Sequence, residues 1–308
     1  MSARRAHSWV AVVAVSIALA SCSSSPSSAD ETALGDDAIT VGSFNFAESE
    51  LLAEIYAQAL ERHGFTVERE LDLGPRELVS PALSGGLIEL VPEYSGTALQ
   101  FLSLGSAPDS ADPDVTHRAL VRTAVQRNLI ALDPAPAQNQ NVFAMTRARA
   151  QQLGVDELSD LTAIADDLVF GGPPECPTRP LCLDGLQRAY GLRFRAFVAL
   201  DAGGPITRQA LEDGHVDVAL LFGTDPAVDG EQIVALVDDR LLQPAENVTP
   251  LVRSDVVQRW GAAVTDVLDR VSHVLTTDEL RALNAAMVAG QATPAALAAR
   301  WLDQHPVR

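Results

Sequence analysis

The cysteines and histidines are the first side chains to consider as sites of chemistry. Cys176 and Cys182 flank a short Pro-rich segment, and Cys22 lies near the N-terminus. The six histidines stand at positions 7, 63, 117, 215, 273 and 305, without the spacing of metal ligands. In an exported protein, a short loop closed by a Cys176–Cys182 disulfide is the favoured interpretation, and a zinc site is the alternative. We expect no metal.

Motifs of catalysis and nucleotide binding are missing from the sequence. It contains no G-x-S-x-G, no H-E-x-x-H, no P-loop and no G-x-G-x-x-G. Neighbouring acids such as Asp166–Asp167 and Asp238–Asp239 are typical of solvated surface. We therefore expect a protein that is not an enzyme and needs no cofactor.

Charge and length narrow the class of protein further. The chain has 308 residues, of which 47% are hydrophobic and 20% are charged, enough for about two domains with a sizeable core. It has 41 acidic residues against 22 basic ones, all of them arginine, for a net charge of −19. This negative charge argues against nucleic acid as a partner and against docking to anionic lipid through a basic patch.

The N-terminus has the pattern of an export signal. Arg4 and Arg5 precede an apolar run over residues 9–20, which is too short to span a membrane. The run ends in Leu-Ala-Ser-Cys22, which resembles the lipobox of bacterial lipoproteins. That resemblance implies a signal peptide over residues 1–21, a lipidated Cys22 and a Ser-rich tether over residues 22–37; a plain signal peptide is the alternative. We expect attachment to the outer face of the cell membrane.

The elements that would position a site alternate between strand and helix. The pattern predicts, among others, a helix over residues 47–63, a strand over 87–91 and a helix capped by Asp114. Thr276-x-x-Glu279 matches a capping box. Two such series indicate an α/β fold with mostly parallel sheets flanked by helices, in which ligands bind at the carboxyl ends of the strands.

The boundaries that follow give two lobes. We predict a first lobe over residues 38–140 and a second over 141–250, with the C-terminal helical part of the first lobe over 251–308.

Four motifs together resemble one family of transport proteins. They are Val41-Gly42-Ser43-Phe44-Asn45-Phe46-Ala47-Glu48-Ser49, Val91-Pro92-Glu93-Tyr94-Ser95-Gly96-Thr97, Asp201-Ala202-Gly203-Gly204 and Leu220-Leu221-Phe222-Gly223-Thr224-Asp225-Pro226. They look like the substrate-binding proteins of glycine betaine/carnitine/choline ABC transporters, the osmoprotectant group. The resemblance implies a two-lobed periplasmic-binding-protein fold, a Venus flytrap, that delivers a small ligand to an ABC permease and its ATPase. We expect it to act as a monomer.

The resemblance also implies a set of ligand contacts. A quaternary ammonium group donates no hydrogen bonds, so it is held by aromatic faces, and a carboxylate on it would need an arginine or backbone N–H groups. Tyr94 and Phe222 match cage aromatics, Thr97 a nearby polar contact and Arg179 a carboxylate-binding arginine. The other expected ligand-binding residues are Phe44, Asn45, Gln138, Asn139, Gln140, Asn141, Arg208 and Thr224.

Several of these positions depart from the family pattern. Arg208 stands at the position that we align with a third cage tyrosine, and the amides of residues 138–141 replace an expected aromatic. Two alternatives therefore stay open. One is the same fold with specificity for a neutral polar or aromatic molecule, and the other is a lipoprotein that senses a ligand or tethers a partner without transport.

Overall fold

The computed structural model describes residues 38–107, 110–228 and 230–307. The predicted signal peptide, Cys22 and the tether lie outside the described residues. The strands are β1 (Ala38–Gly42), β2 (Thr66–Glu70), β3 (Leu90–Tyr94), β4 (Leu129–Ala131), β5 (Asn141–Thr146), β6 (Val169–Gly172), β7 (Ala196–Ala199), β8 (Val218–Phe222), β9 (Ile233–Ala235) and β10 (Val248–Arg253).

Helices connect and cover these strands. They are α1 (Ala47–Arg62), α2 (Arg76–Gly85), α3 (Ser95–Leu102), α4 (Pro113–Val125), α5 (Arg147–Leu153), α6 (Leu183–Tyr190), α7 (Pro205–Glu212), α8 (Ser254–Trp260), α9 (Ala262–Val274), α10 (Thr277–Val288) and α11 (Pro294–Gln304). Short 3-10 helices lie at Leu158–Ala163, Ala165–Asp167 and Cys176–Thr178. Within these described ranges, no helix has the length and apolar character needed to cross a membrane.

The strands form two five-stranded sheets, so the predicted two-lobed α/β fold is confirmed. The first sheet has the order β2-β1-β3-β10-β4, and the second has the order β7-β6-β8-β5-β9. In each sheet four strands run in the same direction, as predicted, and one strand, β10 or β5, runs antiparallel to both of its neighbours. Each of these two strands enters its sheet directly from the other sheet, at the edge where the parallel strands end, and so must run the opposite way.

Each sheet is covered by apolar side chains on both faces. In the first sheet, α1 packs on one face and is itself covered by the C-terminal helices α9, α10 and α11. Leu51, Ile55 and Ala59 are buried, as the predicted helix requires, but Ala53 and Ala57 on the other side are buried too. The hydroxyl groups of Tyr56 and Ser272 are 2.9 Å apart and hydrogen-bonded. The helix is buried all round because α9 and α11 cover its outer face.

Local sequence patterns predicted the bounds of most helices and strands to within a few residues of those in the structure. The capping box of Thr276 and Glu279 is present at the start of α10. The predicted cap of α4 was wrong: Asp112, not Asp114, accepts hydrogen bonds from the first-turn N–H groups, and Pro113 follows it at the first helical position. The strand predicted over residues 87–91 lies at Leu90–Tyr94, which makes Tyr94 its last residue.

The chain crosses between the sheets twice, and the two crossings are bonded to each other. Gln138 and Asn247 form an isolated antiparallel bridge, and the Asn139 N–H donates to the Glu246 carbonyl at 3.0 Å. The first crossing leads into β5, and the second leads into β10. Because β10 starts at Val248 and lies whole in the first sheet, the boundary drawn between residues 250 and 251 falls inside a strand.

The Glu246 side chain ties the second crossing to the start of α3. Its carboxylate accepts from the N–H groups of Gly96 and Thr97, each at 3.1 Å, and from the Thr97 hydroxyl. Gly96 allows this close approach, since a Cβ there would lie 2.8 Å from the Ala245 carbonyl oxygen. Burial raises the pKa of Glu246 to about 7, and the charge of Glu93 adds to this, while Thr97 and Arg76 oppose it.

This shift predicts a pH dependence of stability. The folded state holds a proton on Glu246 more tightly than the unfolded state, whose carboxyl has the ordinary value of 4.5. The folded protein therefore binds more protons between pH 4.5 and 7, and the free energy of unfolding contributed by this group falls as the pH rises. The loss is on the order of 3 kcal/mol.

We expect Glu246→Gln to flatten that part of the profile, measured by chemical denaturation between pH 4.5 and 7.5. Glu212→Gln, at an exposed position, removes one carboxylate from the same acidic protein and serves as the control. An unchanged slope in Glu246→Gln would contradict the assignment.

Candidate functional site

A cavity of about 310 Å3 lies between the two sheets, at the carboxyl ends of their parallel strands. Tyr94 ends β3 and Phe222 ends β8, while residues 44–46 follow β1. Its lining residues are Phe44, Asn45, Phe46, Pro75, Arg76, Glu77, Tyr94, Thr97, Gln100, Phe101, Leu104, Gly105, Asn139, Asn141, Pro173, Glu175, Cys176, Thr178, Arg179, Pro180, Leu181, Cys182, Ala202, Leu220 and Phe222. This is the position that the α/β pattern predicts for a ligand.

Four aromatic rings form one wall, which we call the aromatic cluster: Phe44, Phe46, Tyr94 and Phe222. The Phe46 ring is central, with its centroid 5.9 Å from that of Phe44, 6.1 Å from Tyr94 and 5.2 Å from Phe222. Phe46 was not among the predicted site residues, although it shares its loop with Phe44 and Asn45. A second aromatic in a loop that follows a buried strand was the signal available for it.

A buried carboxylate behind Tyr94 joins four separate parts of the chain. Glu48 Oε1 accepts from the Tyr94 hydroxyl at 2.6 Å and from Asn139 Nδ2 at 2.7 Å. Its Oε2 accepts from Asn284 Nδ2 at 2.5 Å and from the Thr224 hydroxyl. An ionised carboxylate accepts about four hydrogen bonds, so these donors, which with Glu48 we call the Glu48 node, satisfy it.

The node fixes the protonation and orientation of Tyr94. Burial raises the pKa of Tyr94 well above its ordinary value, and the negative charge of Glu48 raises it further. The Tyr94 phenol therefore stays protonated and donates a hydrogen bond to Glu48. The ring is held with its edge toward the carboxylate, and its hydrogen-bonding capacity is turned away from the cavity.

The structure brings eight predicted site residues to the cavity. They are Phe44, Asn45, Tyr94, Thr97, Asn139, Asn141, Arg179 and Phe222. Four others lie outside the lining as it is described: Gln138, Gln140, Arg208 and Thr224. Thr97 and Asn139 reach the cavity, but the Thr97 hydroxyl bonds Glu246 and the Asn139 amide bonds Glu48.

The backbone N–H of Gln138 and the side-chain amides of Gln140 and Asn141 donate hydrogen bonds to protein groups. The Gln138 N–H donates to the Thr277 hydroxyl at 3.0 Å, and Gln140 Nε2 donates to the Pro244 carbonyl at 2.7 Å. Asn141 Nδ2 donates to Gln243 Oε1 at 3.2 Å. These amides hold the two crossings side by side, because each donates across to the other crossing or to the helix beside it.

Thr224 and Arg208 lie beyond the aromatic wall and have protein partners. The Thr224 hydroxyl belongs to the Glu48 node, and its N–H donates to Asn139 Oδ1 at 3.2 Å. Arg208 forms an ion pair with Asp225, with Nη1 2.5 Å from Oδ2, and both side chains are largely buried. Asp225 thus neutralises the cation that stands at the position aligned with a cage tyrosine.

Two arginines remain at the cavity, and each is paired. Arg76 Nη2 lies 2.7 Å from Glu93 Oε2, and its guanidinium carbon lies 4.8 Å from the centroid of the Phe44 ring. Arg179 Nη2 lies 2.8 Å from Glu77 Oε2 and 3.2 Å from Glu175 Oε1. The Glu77 contact joins α2, beside the first sheet, to the loop before α6, beside the second.

The loop that carries Arg179 is closed by the Cys176–Cys182 disulfide, with the two Cα atoms 5.3 Å apart. The favoured interpretation of the two cysteines thus holds in the structure. Across residues 38–107, 110–228 and 230–307, no three His, Cys, Asp or Glu side chains are grouped so that they could hold a metal ion.

Comparisons with known proteins agree with this architecture. A family model described as the substrate binding domain of an ABC-type glycine betaine transport system matches residues 37–304. The chain is 28% identical to the glycine-betaine-binding protein of Pseudomonas aeruginosa over 280 residues, 87% of this chain and 88% of that one. It is 26% identical to the glycine betaine-binding protein YehZ of Escherichia coli, over 86% of this chain and 90% of that one.

Solved structures show the same fold at lower identity. A crystal structure of a glycine betaine/carnitine/choline ABC transporter protein superposes with a TM-score of 0.68 at 20% identity, covering 87% of this chain and 99% of that one. An ABC-transporter choline binding protein in complex with choline superposes with a TM-score of 0.65 at 14% identity, covering 88% and 89%. By the match over residues 37–304, this chain belongs to the family of substrate-binding domains of ABC-type glycine betaine transport systems.

Proposed function

We propose that this chain is an extracytoplasmic solute-binding lipoprotein that captures a quaternary-ammonium osmoprotectant and delivers it to an ABC permease. The observation that carries the proposal is the aromatic cluster in the cavity between the two sheets. Aromatic faces attract a quaternary ammonium ion by cation–π interaction, worth up to ~2 kcal/mol per face in a desolvated site. Such an ion donates no hydrogen bonds. Its binding is therefore not weakened by the hydrogen bonds that Thr97 and Asn139 make to protein groups.

The Glu48 node supports this choice of ligand. A phenol that donates to a carboxylate is polarised by it, which increases the negative charge that its ring presents to a cation. Tyr94 is oriented in this way, with Glu48 2.6 Å from its hydroxyl. A buried negative charge directly behind an aromatic wall favours a cationic ligand on the other side.

Transport would follow from closure of the two lobes around the ligand. A ligand that contacts both sheets stabilises the closed arrangement over the open one, and the permease then recognises the closed protein. The cluster has the required geometry, because Phe46 comes from the first sheet and Phe222 from the second, with their centroids 5.2 Å apart. No step of this cycle needs covalent chemistry or a cofactor, and we propose that the protein is a monomer and not an enzyme.

The lipid anchor is part of the proposal and rests on the Leu-Ala-Ser-Cys22 motif. A diacylated Cys22 would hold the domain at the outer face of the cell membrane, on a tether of about 15 residues. We expect Cys22→Ser to release the protein into the soluble fraction and to abolish its labelling with radioactive palmitate. Release without any loss of label would contradict lipidation at this residue.

The ligand class is tested by thermal unfolding of the purified protein against a panel. The panel contains glycine betaine, choline, carnitine and proline betaine, with amino acids, sugars and flat aromatic compounds as competitors. A ligand at 100 times its dissociation constant stabilises a protein by about 2.7 kcal/mol, which is a readily measured shift. A response to a quaternary amine supports the proposal, whereas a response only to a neutral or aromatic compound would contradict it.

Within that experiment, Phe46→Ala should weaken binding of the active quaternary amine about 5- to 30-fold, because one aromatic face is lost. Phe65→Ala makes the same change at a half-buried ring that packs on Trp260, just before the start of β2 and outside the described cavity lining. The dissociation constant, measured by titration calorimetry, should be unchanged in this control once folding is confirmed. Equal losses in both variants would mean that Phe46 acts only through stability.

The Glu48 node makes a separate prediction about closure. Thr224 lies two residues after the end of β8 and its hydroxyl reaches Glu48 on α1, so this hydrogen bond joins the two lobes. Thr224→Val keeps the shape of the side chain but leaves the buried carboxylate with one donor fewer, a cost of about 1–3 kcal/mol. We expect a 5- to 30-fold weaker affinity with an intact cavity wall.

Thr123→Val, which removes a hydroxyl that bonds within α4, is the matched control and should bind normally. Wild-type affinity in Thr224→Val would show that the bond does not contribute to the bound state.

A further inference from the structure

The charges around the cavity are predominantly negative. Glu77 and Glu175 line it, while Glu48 and Glu93 lie directly behind Tyr94 and Arg76. Glu246 lies behind Thr97. Among the described lining residues, the cations are Arg76 and Arg179. The carboxylates therefore outnumber the guanidinium groups, and the site carries a net negative charge.

The charge of Arg76 is already balanced by a buried protein carboxylate. Its Nε lies 3.0 Å from Glu93 Oε1 and its Nη2 lies 2.7 Å from Oε2, which is a two-bond pairing with both side chains buried. Breaking such a buried pair would leave an uncompensated buried charge, which is strongly unfavourable. The guanidinium also stacks on the Phe44 ring, so its face is covered.

Arg179 is shared between two carboxylates, and the group of Glu77, Arg179 and Glu175 is called here the charge trio. Arg179 donates to both Glu77 oxygens, at 3.3 and 2.8 Å, and lies 3.2 Å from Glu175. Burial raises the pKa of Glu77, but the hydrogen bonds and charge of Arg179 outweigh it and lower the pKa of this carboxyl. The trio is therefore anionic at neutral pH, and a ligand carboxylate would be a third anion on one guanidinium.

Two helix N-termini beside the cavity are also taken by protein carboxylates. Glu246 accepts from the first N–H groups of α3, at Gly96 and Thr97. Asp201 accepts from the Ile206 N–H at 3.1 Å and the Thr207 N–H at 2.8 Å, at the start of α7. These backbone donors, which would otherwise suit an anion, are already bonded.

From these contacts we infer that the ligand is a monocation without a carboxylate, a choline-like quaternary amine, and that the charge trio discriminates against zwitterions such as glycine betaine. The inference rests on the proposed function and narrows its ligand class. Choline and glycine betaine share the trimethylammonium head that the aromatic cluster binds. They differ in a hydroxymethyl group against a carboxylate, which is the part that the charge trio would meet.

The direct test is titration calorimetry of the purified protein with three matched ligands: choline, glycine betaine and the methyl ester of glycine betaine. We expect choline to bind at least tenfold more tightly than glycine betaine. The methyl ester, which is one methyl group larger than the betaine and carries a net positive charge, should bind like choline. Glycine betaine binding as tightly as choline, or more tightly, would overturn the inference while leaving the proposed function intact. Failure of all three ligands to bind would overturn the inference, and failure of carnitine and proline betaine as well would overturn the proposed function.

A variant separates the charge trio from the rest of the site. Glu77→Gln leaves Arg179 with one carboxylate instead of two, so glycine betaine should gain about tenfold in affinity relative to choline. Glu61→Gln is the matched control, because Glu61 also pairs with an arginine, Arg69, but on the surface away from the cavity. An unchanged ratio in Glu77→Gln, or an equal change in Glu61→Gln, would overturn the role of the trio.

Discussion

The Glu48 carboxylate is the contact on which the arrangement of the two lobes depends. A buried charge is tolerated only when it is fully hydrogen-bonded, and here the donors come from β3, from the first crossing, from the turn after β8 and from α10. Four segments that are distant along the chain must therefore converge for the charge to be satisfied. Loss of any donor leaves one buried Glu48 oxygen with a single hydrogen bond in place of two, so the node acts as one unit.

Around this node, polar side chains hold the lobes together and phenylalanine rings line the cavity. Thr224, Asn139 and the amides of the first crossing bond to protein and hold the sheets and crossings together. The rings of Phe44, Phe46 and Phe222 line the cavity and have no polar group that needs a hydrogen-bond partner. Because these three rings take no part in those hydrogen bonds, the shape of their part of the wall can change without disturbing the bonds that unite the lobes.

The alternation of strands and helices was enough to predict the fold class, because buried strands and amphipathic helices are local patterns. Short elements escaped prediction: β9 has three residues and α5 has seven, too few for a periodicity to appear. The antiparallel direction of β5 and β10 has no local signal, because it follows from how the chain crosses between the sheets and not from the composition of either strand.

At the site, the sequence motifs located the loops but not the partners of their side chains. Thr224 lies beside the cavity wall as its motif suggested, yet its hydroxyl bonds Glu48, which is 176 positions away in the chain. A polar side chain in a loop has no pattern that says whether it faces a ligand or another buried group. The Arg208–Asp225 ion pair could have been predicted from the sequence, because Asp225 belongs to the same motif as Phe222.

The position of β10 has a consequence for the order of assembly. This strand lies between β3 and β4, so the first sheet stays incomplete until residues 248–253 have been delivered. The second sheet draws all its strands from residues 141–235, a continuous stretch that precedes β10 in the chain. During vectorial synthesis or translocation, the second sheet is therefore able to form first, and its presence brings the ends of the two crossings together. The first sheet then closes late around an incoming strand, which delays burial of its core until nearly the whole chain has emerged.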